Sequence, residues 1–122
     1  MADVLIIEDS PTDAQAYSGT LREHGYTVSM ANNGEEGMAL AAKLQPDLIL
    51  MDIVMPGING FQATRELGKQ AETTNIPIIM LSTKDQQTDR IWGLRQGAVD
   101  YLVKPISRRE LVESVQSALA LP

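Results

Sequence analysis

A chain of 122 residues fits one domain, residues 1–122, and leaves little room for a second. With 16 acidic against 10 basic side chains and a net charge of −6, it lacks the cationic footprint that a nucleic-acid backbone requires. The absence of cysteine excludes disulfides and thiolate metal sites, and no apolar run has the length of a membrane span or a signal peptide, so a cytoplasmic protein is expected.

Strand-like and helix-like segments alternate from the first residues onward. Val4-Leu5-Ile6-Ile7 is apolar throughout and branched, the pattern of a strand buried on both faces. Glu8 and Asp9 follow it. Ser10-Pro11-Thr12-Asp13 then supplies an N-cap, a proline at the first helical position and an acid in the first turn. Tyr17 and Leu21 lie on one face of this helix, and Gly25 marks its stop; His24, the only histidine, sits at its end. Thr27-Val28-Ser29-Met30 alternates, which predicts an edge strand with one wet face. Asn33 with Glu36 opens a second helix that runs through Leu40 and Leu44.

Leu48-Ile49-Leu50-Met51 is another buried run, followed by Asp52 and the turn signal Met55-Pro56-Gly57. Gly60 to Lys69 carries a third helix on Ala63 and Leu67, with Phe61 near its start and the weakest apolar pattern of the five. Ile78-Ile79-Met80-Leu81 is buried in turn and followed by Ser82 and Thr83. A fourth helix spans Gln86 to Gln96 and closes on Gly97; an aromatic such as its Trp92 packs into a core by default, with a partner-facing position as the alternative. Val99 to Val103 reads as the second edge strand, ahead of Lys104-Pro105. Ser107-Arg108-Arg109-Glu110 has the form of a capping box before the inner stripe Leu111, Val115, Ala118 and Leu119.

This βαβα order predicts an α/β fold, a doubly wound parallel sheet with helices on both faces. Ligands in such folds sit beyond the carboxyl ends of the strands. Glu8, Asp9, Asp52, Ser82 and Lys104 all fall there, while the strand interiors are apolar. Each has an ordinary explanation on its own. Glu8 and Asp9 can cap a helix, Asp52 can form a turn, Ser82 and Thr83 can cap a strand end, and Lys104 can be a surface lysine. Together they describe a chemistry. Converging carboxylates raise one another's pKa, and a hard cation such as Mg2+ relieves the conflict. A carboxylate can act as a nucleophile and become an aspartyl phosphate, with the ammonium and hydroxyl neutralising phosphoryl oxygens.

The same residues carry a resemblance. Ile7-Glu8-Asp9-Ser10, Leu50 to Gly57, Met80-Leu81-Ser82-Thr83 and Tyr101-Leu102-Val103-Lys104-Pro105 resemble the motifs of bacterial response regulator receiver domains, the CheY-like family, over the full chain. The resemblance implies a five-stranded flavodoxin-like sheet of order 2-1-3-4-5 and a phosphorylation-dependent switch. It implies Asp52 as phosphoacceptor, and Mg2+ held by Asp9, Asp52 and the Val54 backbone carbonyl, with Glu8 acting through water. It further implies that Lys104 holds the phosphoryl group ahead of a cis bond to Pro105, and that Ser82 moves inward with Tyr101 changing rotamer to follow. A sensor histidine kinase would be the donor, and a downstream protein would read the face built from helix 4, strand 5 and helix 5. The chain would be a monomer, with a dimer possible, and would bind neither nucleic acid nor membrane. Within the family, Asp52 to Phe61, Ser82 to Asp85, Trp92-Gly93 and Gln96-Gly97-Ala98 resemble the stand-alone PilH-type receivers of chemosensory pathways for type IV pilus (twitching) motility.

Departures from the family pattern are Glu8 for the commoner Asp, Val54 where some receivers carry a polar residue, and the bulkier Thr83. Three other readings compete. A Mg2+-dependent phosphatase with an aspartyl intermediate would want a second acid where Val54 stands. An unphosphorylated pseudo-receiver scaffold would not need Asp9, Asp52, Ser82 and Lys104 all intact. A phosphate sink uses the same site to drain signal from another receiver. The expectation is a switch without an output domain of its own, an enzyme only in its self-phosphotransfer and slow self-dephosphorylation.

Overall fold

The computed structural model describes residues 2–121. The strands are β1 (Asp3–Ile7), β2 (Thr27–Ala31), β3 (Leu48–Asp52), β4 (Ile78–Ser82) and β5 (Asp100–Val103). They alternate with α1 (Pro11–Glu23), α2 (Gly34–Leu44), α3 (Gly60–Lys69), α4 (Gln87–Gln96) and α5 (Arg108–Leu119). All pairings are parallel and the strand order is β2-β1-β3-β4-β5. The chain order reverses beside β1, which leaves a crevice at the carboxyl ends of β1 and β3.

Alternate strand residues feed the two faces. Val4, Ile6, Leu48, Leu50, Ile79 and Leu81 meet Tyr17 and Leu21 of α1 and Leu111 and Val115 of α5. Leu5, Ile7, Ile49 and Met51 meet Ala41 of α2 and Ala63 and Leu67 of α3. A smaller cluster of Ile53, Met80, Ala98 and Tyr101 lies toward α4. Each large side chain sealed in these layers contributes about 1.5–3 kcal/mol, so sheet burial outweighs helix propensity in fixing the fold.

Several local expectations change. β3 and β4 each run one residue further than their apolar runs, so Asp52 and Ser82 end strands rather than follow them. The alternation of β2 breaks at Met30, which is exposed, while Ala31 turns inward. Helix α2 does not rest on Leu44, which is exposed; it buries Gly34, Gly37 and Ala41, small residues that bring its backbone close to the sheet. The full capping box belongs to α3, where Asn59 and Gln62 exchange side-chain and backbone bonds; at α5 only the Ser107 side takes part, accepting from the Glu110 N–H at 3.0 Å.

The weakest inner face is that of α4, not α3. Helix α3 buries Gly60, Ala63, Thr64 and Leu67, whereas among the described residues of α4 only Gly93 is buried. Ile91, Trp92 and Leu94 are exposed, Trp92 by 48%, which corrects the default reading of Trp92 as a core residue. A helix attached by so little buried apolar surface belongs to the low-stability end of the molecule.

Candidate functional site

The carboxyl ends of the strands bring together the residues expected there. Glu8 and Asp9 follow β1, Asp52 ends β3, Ser82 ends β4 and Lys104 follows β5. Glu8, Asp9 and Asp52 present carboxylate oxygens within 4.8 Å of one another. Glu8 and Asp52 are buried and Asp9 is exposed, so the cluster has two walls and an open mouth.

Helix α3 is drawn tightly onto the end of β3 beneath this cluster. A Cβ at Gly60 would fall 2.3 Å from the Asp52 carbonyl oxygen and 2.7 Å from the Ile53 Cα, a space no other residue can share. The Gly60 N–H donates to the Ile53 carbonyl at 2.9 Å. In the segment that follows β3, Ile53 and Met55 are buried while Val54, two residues after Asp52, is exposed by 56%. Across the sheet, the Lys104 N–H donates to the Ser82 carbonyl at 2.8 Å and joins the ends of β4 and β5. The Lys104–Pro105 bond is cis.

Lys104 does not point at Asp52 alone. Its ammonium donates to Glu8 Oε1 at 2.7 Å and to Asp13 Oδ2 at 3.0 Å, while Asp52 Oδ1 lies 3.5 Å away. The Ser10 N–H donates to the other Glu8 oxygen at 3.1 Å. Burial works against the Lys104 charge, but bonds to Glu8 and Asp13 and the nearby Asp52 outweigh it and hold its pKa above the ordinary lysine value. Burial, reinforced by the bond to Glu8 and its charge, pushes Asp52 up to about 8 despite Lys104. Tyr17, one turn beyond Asp13, is pushed up to about 12, chiefly by burial.

Asp13 is the residue that reading along the chain did not place in the site. It was legible only as a first-turn acid, because its partner Lys104 lies 91 residues away. Both Glu8 oxygens are engaged by protein groups, the Lys104 ammonium and the Ser10 N–H.

Ser82 and Tyr101 form the flank toward α4. Ser82 Oγ accepts from the Lys84 N–H at 3.1 Å, and the Tyr101 hydroxyl donates to the Lys84 carbonyl at 2.8 Å. Tyr101 is only 2% exposed, so its ring is already turned inward. Gly93 makes room for it, since a Cβ there would sit 3.0 Å from the ring and 2.8 Å from Met80 Sδ. Arg90 of α4 donates to the Tyr101 carbonyl at 3.2 Å, and Asp100 accepts from Ser114 of α5 at 2.6 Å, which ties α4, β5 and α5 into one face.

The donor set suits a hard divalent cation. Three carboxylates converge, burial and then the neighbouring Glu8 make the Asp52 charge costly, and every side-chain ligand atom in the cluster is an oxygen. Mg2+ takes such ligands and keeps waters on its open side.

Comparison with known proteins agrees with this geometry. Residues 4–116 match the family model for the response regulator receiver domain. The chain is 53% identical over 120 residues to protein PilH of Pseudomonas aeruginosa, covering 98% of this chain and 99% of that one. Chemotaxis protein CheY4 of Vibrio cholerae superposes with a TM-score of 0.91 at 35% identity, over 97% of this chain and 98% of that one. The receiver domain of the sensor histidine kinase PA1611 of Pseudomonas aeruginosa, whose crystal structure has a magnesium ion coordinated in the active-site cleft, superposes with a TM-score of 0.91 at 34% identity over 98% of each chain.

Proposed function

The chain belongs to the response regulator receiver domain family, and from that premise we propose that Asp52 is the acceptor of a phosphoryl group delivered in trans by a sensor histidine kinase. The observation that carries this reading is the position of Asp52: buried at the end of β3, flanked by Glu8 and Asp9, and facing the Lys104 ammonium at 3.5 Å.

One Asp52 oxygen attacks phosphorus as the bond to the donor breaks, and the electron pair leaves with the donor. Chemistry of this kind needs positioning and charge neutralisation rather than a protein acid or base. Asp9, Asp52 and the Val54 carbonyl would hold Mg2+, with Glu8 acting through water; the ion supplies positive charge to the phosphoryl oxygens. Lys104 supplies a second cation and Ser82 Oγ a hydrogen-bond donor to those oxygens. Ser82 Oγ accepts from the Lys84 N–H and its own hydroxyl hydrogen remains to donate, so movement of Ser82 toward the phosphoryl group pulls on the loop that also anchors the Tyr101 hydroxyl. Phosphorylation thus biases the loop, Tyr101 and the α4–β5–α5 face toward a second arrangement that a downstream protein reads.

The likeness to PilH supports a place in a chemosensory pathway controlling type IV pilus motility. No observation favours the scaffold or the sink over the switch. The acceptor is testable directly. After phosphorylation by acetyl phosphate, borohydride reduction converts an aspartyl phosphate to homoserine, and peptide sequencing should find homoserine at position 52. Homoserine at another aspartate would overturn the assignment.

A further inference from the structure

We propose that Asp13 is a positioning residue that restrains phosphorylation by holding the Lys104 ammonium toward helix α1. The inference rests on Asp52 being the acceptor and adds a control on that site.

The ammonium has three donors, and two are bound to Glu8 at 2.7 Å and Asp13 at 3.0 Å, leaving Asp52 beyond hydrogen-bonding distance at 3.5 Å. The two anchors differ in kind. The Glu8 side chain is fully buried and also accepts from the Ser10 N–H, so it cannot leave without stranding a charge. The Asp13 side chain is 40% exposed and can turn to water at little cost. Its backbone is held at the third position of α1, where its N–H donates to Ser10 Oγ at 3.3 Å, so the carboxylate starts each time from the same place beside Lys104.

When the donor's bond to phosphorus breaks and the Asp52 oxygen takes its place, the phosphoryl oxygens bring negative charge to the spot Lys104 faces. Asp13 opposes this by competing with the phosphoryl group for the ammonium. Neutralising Asp13 weakens the pull toward α1 and lets the ammonium move to the phosphoryl group. A first-turn acid also favours its helix through the dipole, but that effect appears in stability and leaves the phosphorylation rate alone.

The test is the rate constant for phosphorylation by acetyl phosphate in saturating Mg2+, followed by intact mass, for wild type, Asp13→Asn and Asp13→Glu, with and without Lys104→Ala. For an ion pair this exposed, Asp13→Asn should raise the rate about two- to fivefold. Asp13→Glu, which keeps the charge, should restore a rate close to wild type. In the Lys104→Ala background the Asp13→Asn gain should vanish, because the effect passes through the lysine. A rate for Asp13→Asn at or below wild type, or a gain that persists without Lys104, overturns the proposal while leaving Asp52 as acceptor. Wild-type protein that takes up no phosphate overturns both.

Discussion

Asp52 is buried beside Glu8, and the cost of that placement should be measurable. Replacing it with Asn removes one of the converging carboxylates and keeps the shape. In Mg2+-free buffer Asp52→Asn should therefore stabilise the fold by about 1 kcal/mol, read from the urea midpoint. An unchanged or lower midpoint would contradict the charge conflict. Lys104→Ala should act in the opposite direction. It leaves the fully buried Glu8 side chain without its 2.7 Å partner and should cost about 3 kcal/mol; a loss below about 0.5 kcal/mol, the range of ordinary surface changes, would contradict the pairing. Val54 belongs to the same scale. Its exposed apolar side chain offers no hydrogen bond to an incoming water, so Val54→Asn should shorten the half-life of the phosphorylated form several-fold; an equal or longer half-life would contradict that. That Glu8, Asp9, Asp52, Ser82 and Lys104 converge was legible because strand ends meet by rule in a parallel α/β fold. Asp13 was not, since nothing in a first-turn acid reveals that the end of β5 lies against it.

Helix α4 carries the clearest consequence at the level of elements. Its burial is confined to Gly93, and Ile91, Trp92 and Leu94 face outward, so packing holds it loosely against Tyr101. Trp92→Ala should change stability by less than about 0.5 kcal/mol, as an exposed substitution does, while weakening capture of a downstream protein. A large loss of stability would return Trp92 to the core. Element positions were readable from apolar runs and caps, because strands buried on both faces have few alternatives. What sequence periodicity could not rank was the attachment of each helix. The glycines of α2 and α4 carry no hydropathy signal, yet close backbone approach at Gly37 and Gly93 is what seats those helices. The reciprocal cap of Asn59 and Gln62 was equally hidden, since Gln at the third position is no stronger a sign than the Glu110 that fails to reciprocate at α5.

For the whole molecule, the sheet order puts β1 and β3 side by side, and this adjacency alone brings residues 8, 9 and 52 together. The alternation of buried strands and amphipathic helices specified a parallel doubly wound sheet; the order 2-1-3-4-5 came from the family motifs, since apolar patterning does not tell one parallel neighbour from another. The same scaffold links the site to the α4–β5–α5 face through Ser82, the Lys84 backbone and Tyr101, the route on which the proposed switch depends. The most direct test of that switch's premise is intact mass after incubation with acetyl phosphate, with and without Mg2+, on wild type and Asp52→Ala. The site predicts a Mg2+-dependent gain of one phosphate in wild type and none in the variant. No gain in folded wild-type protein, or an equal gain in Asp52→Ala, would contradict it.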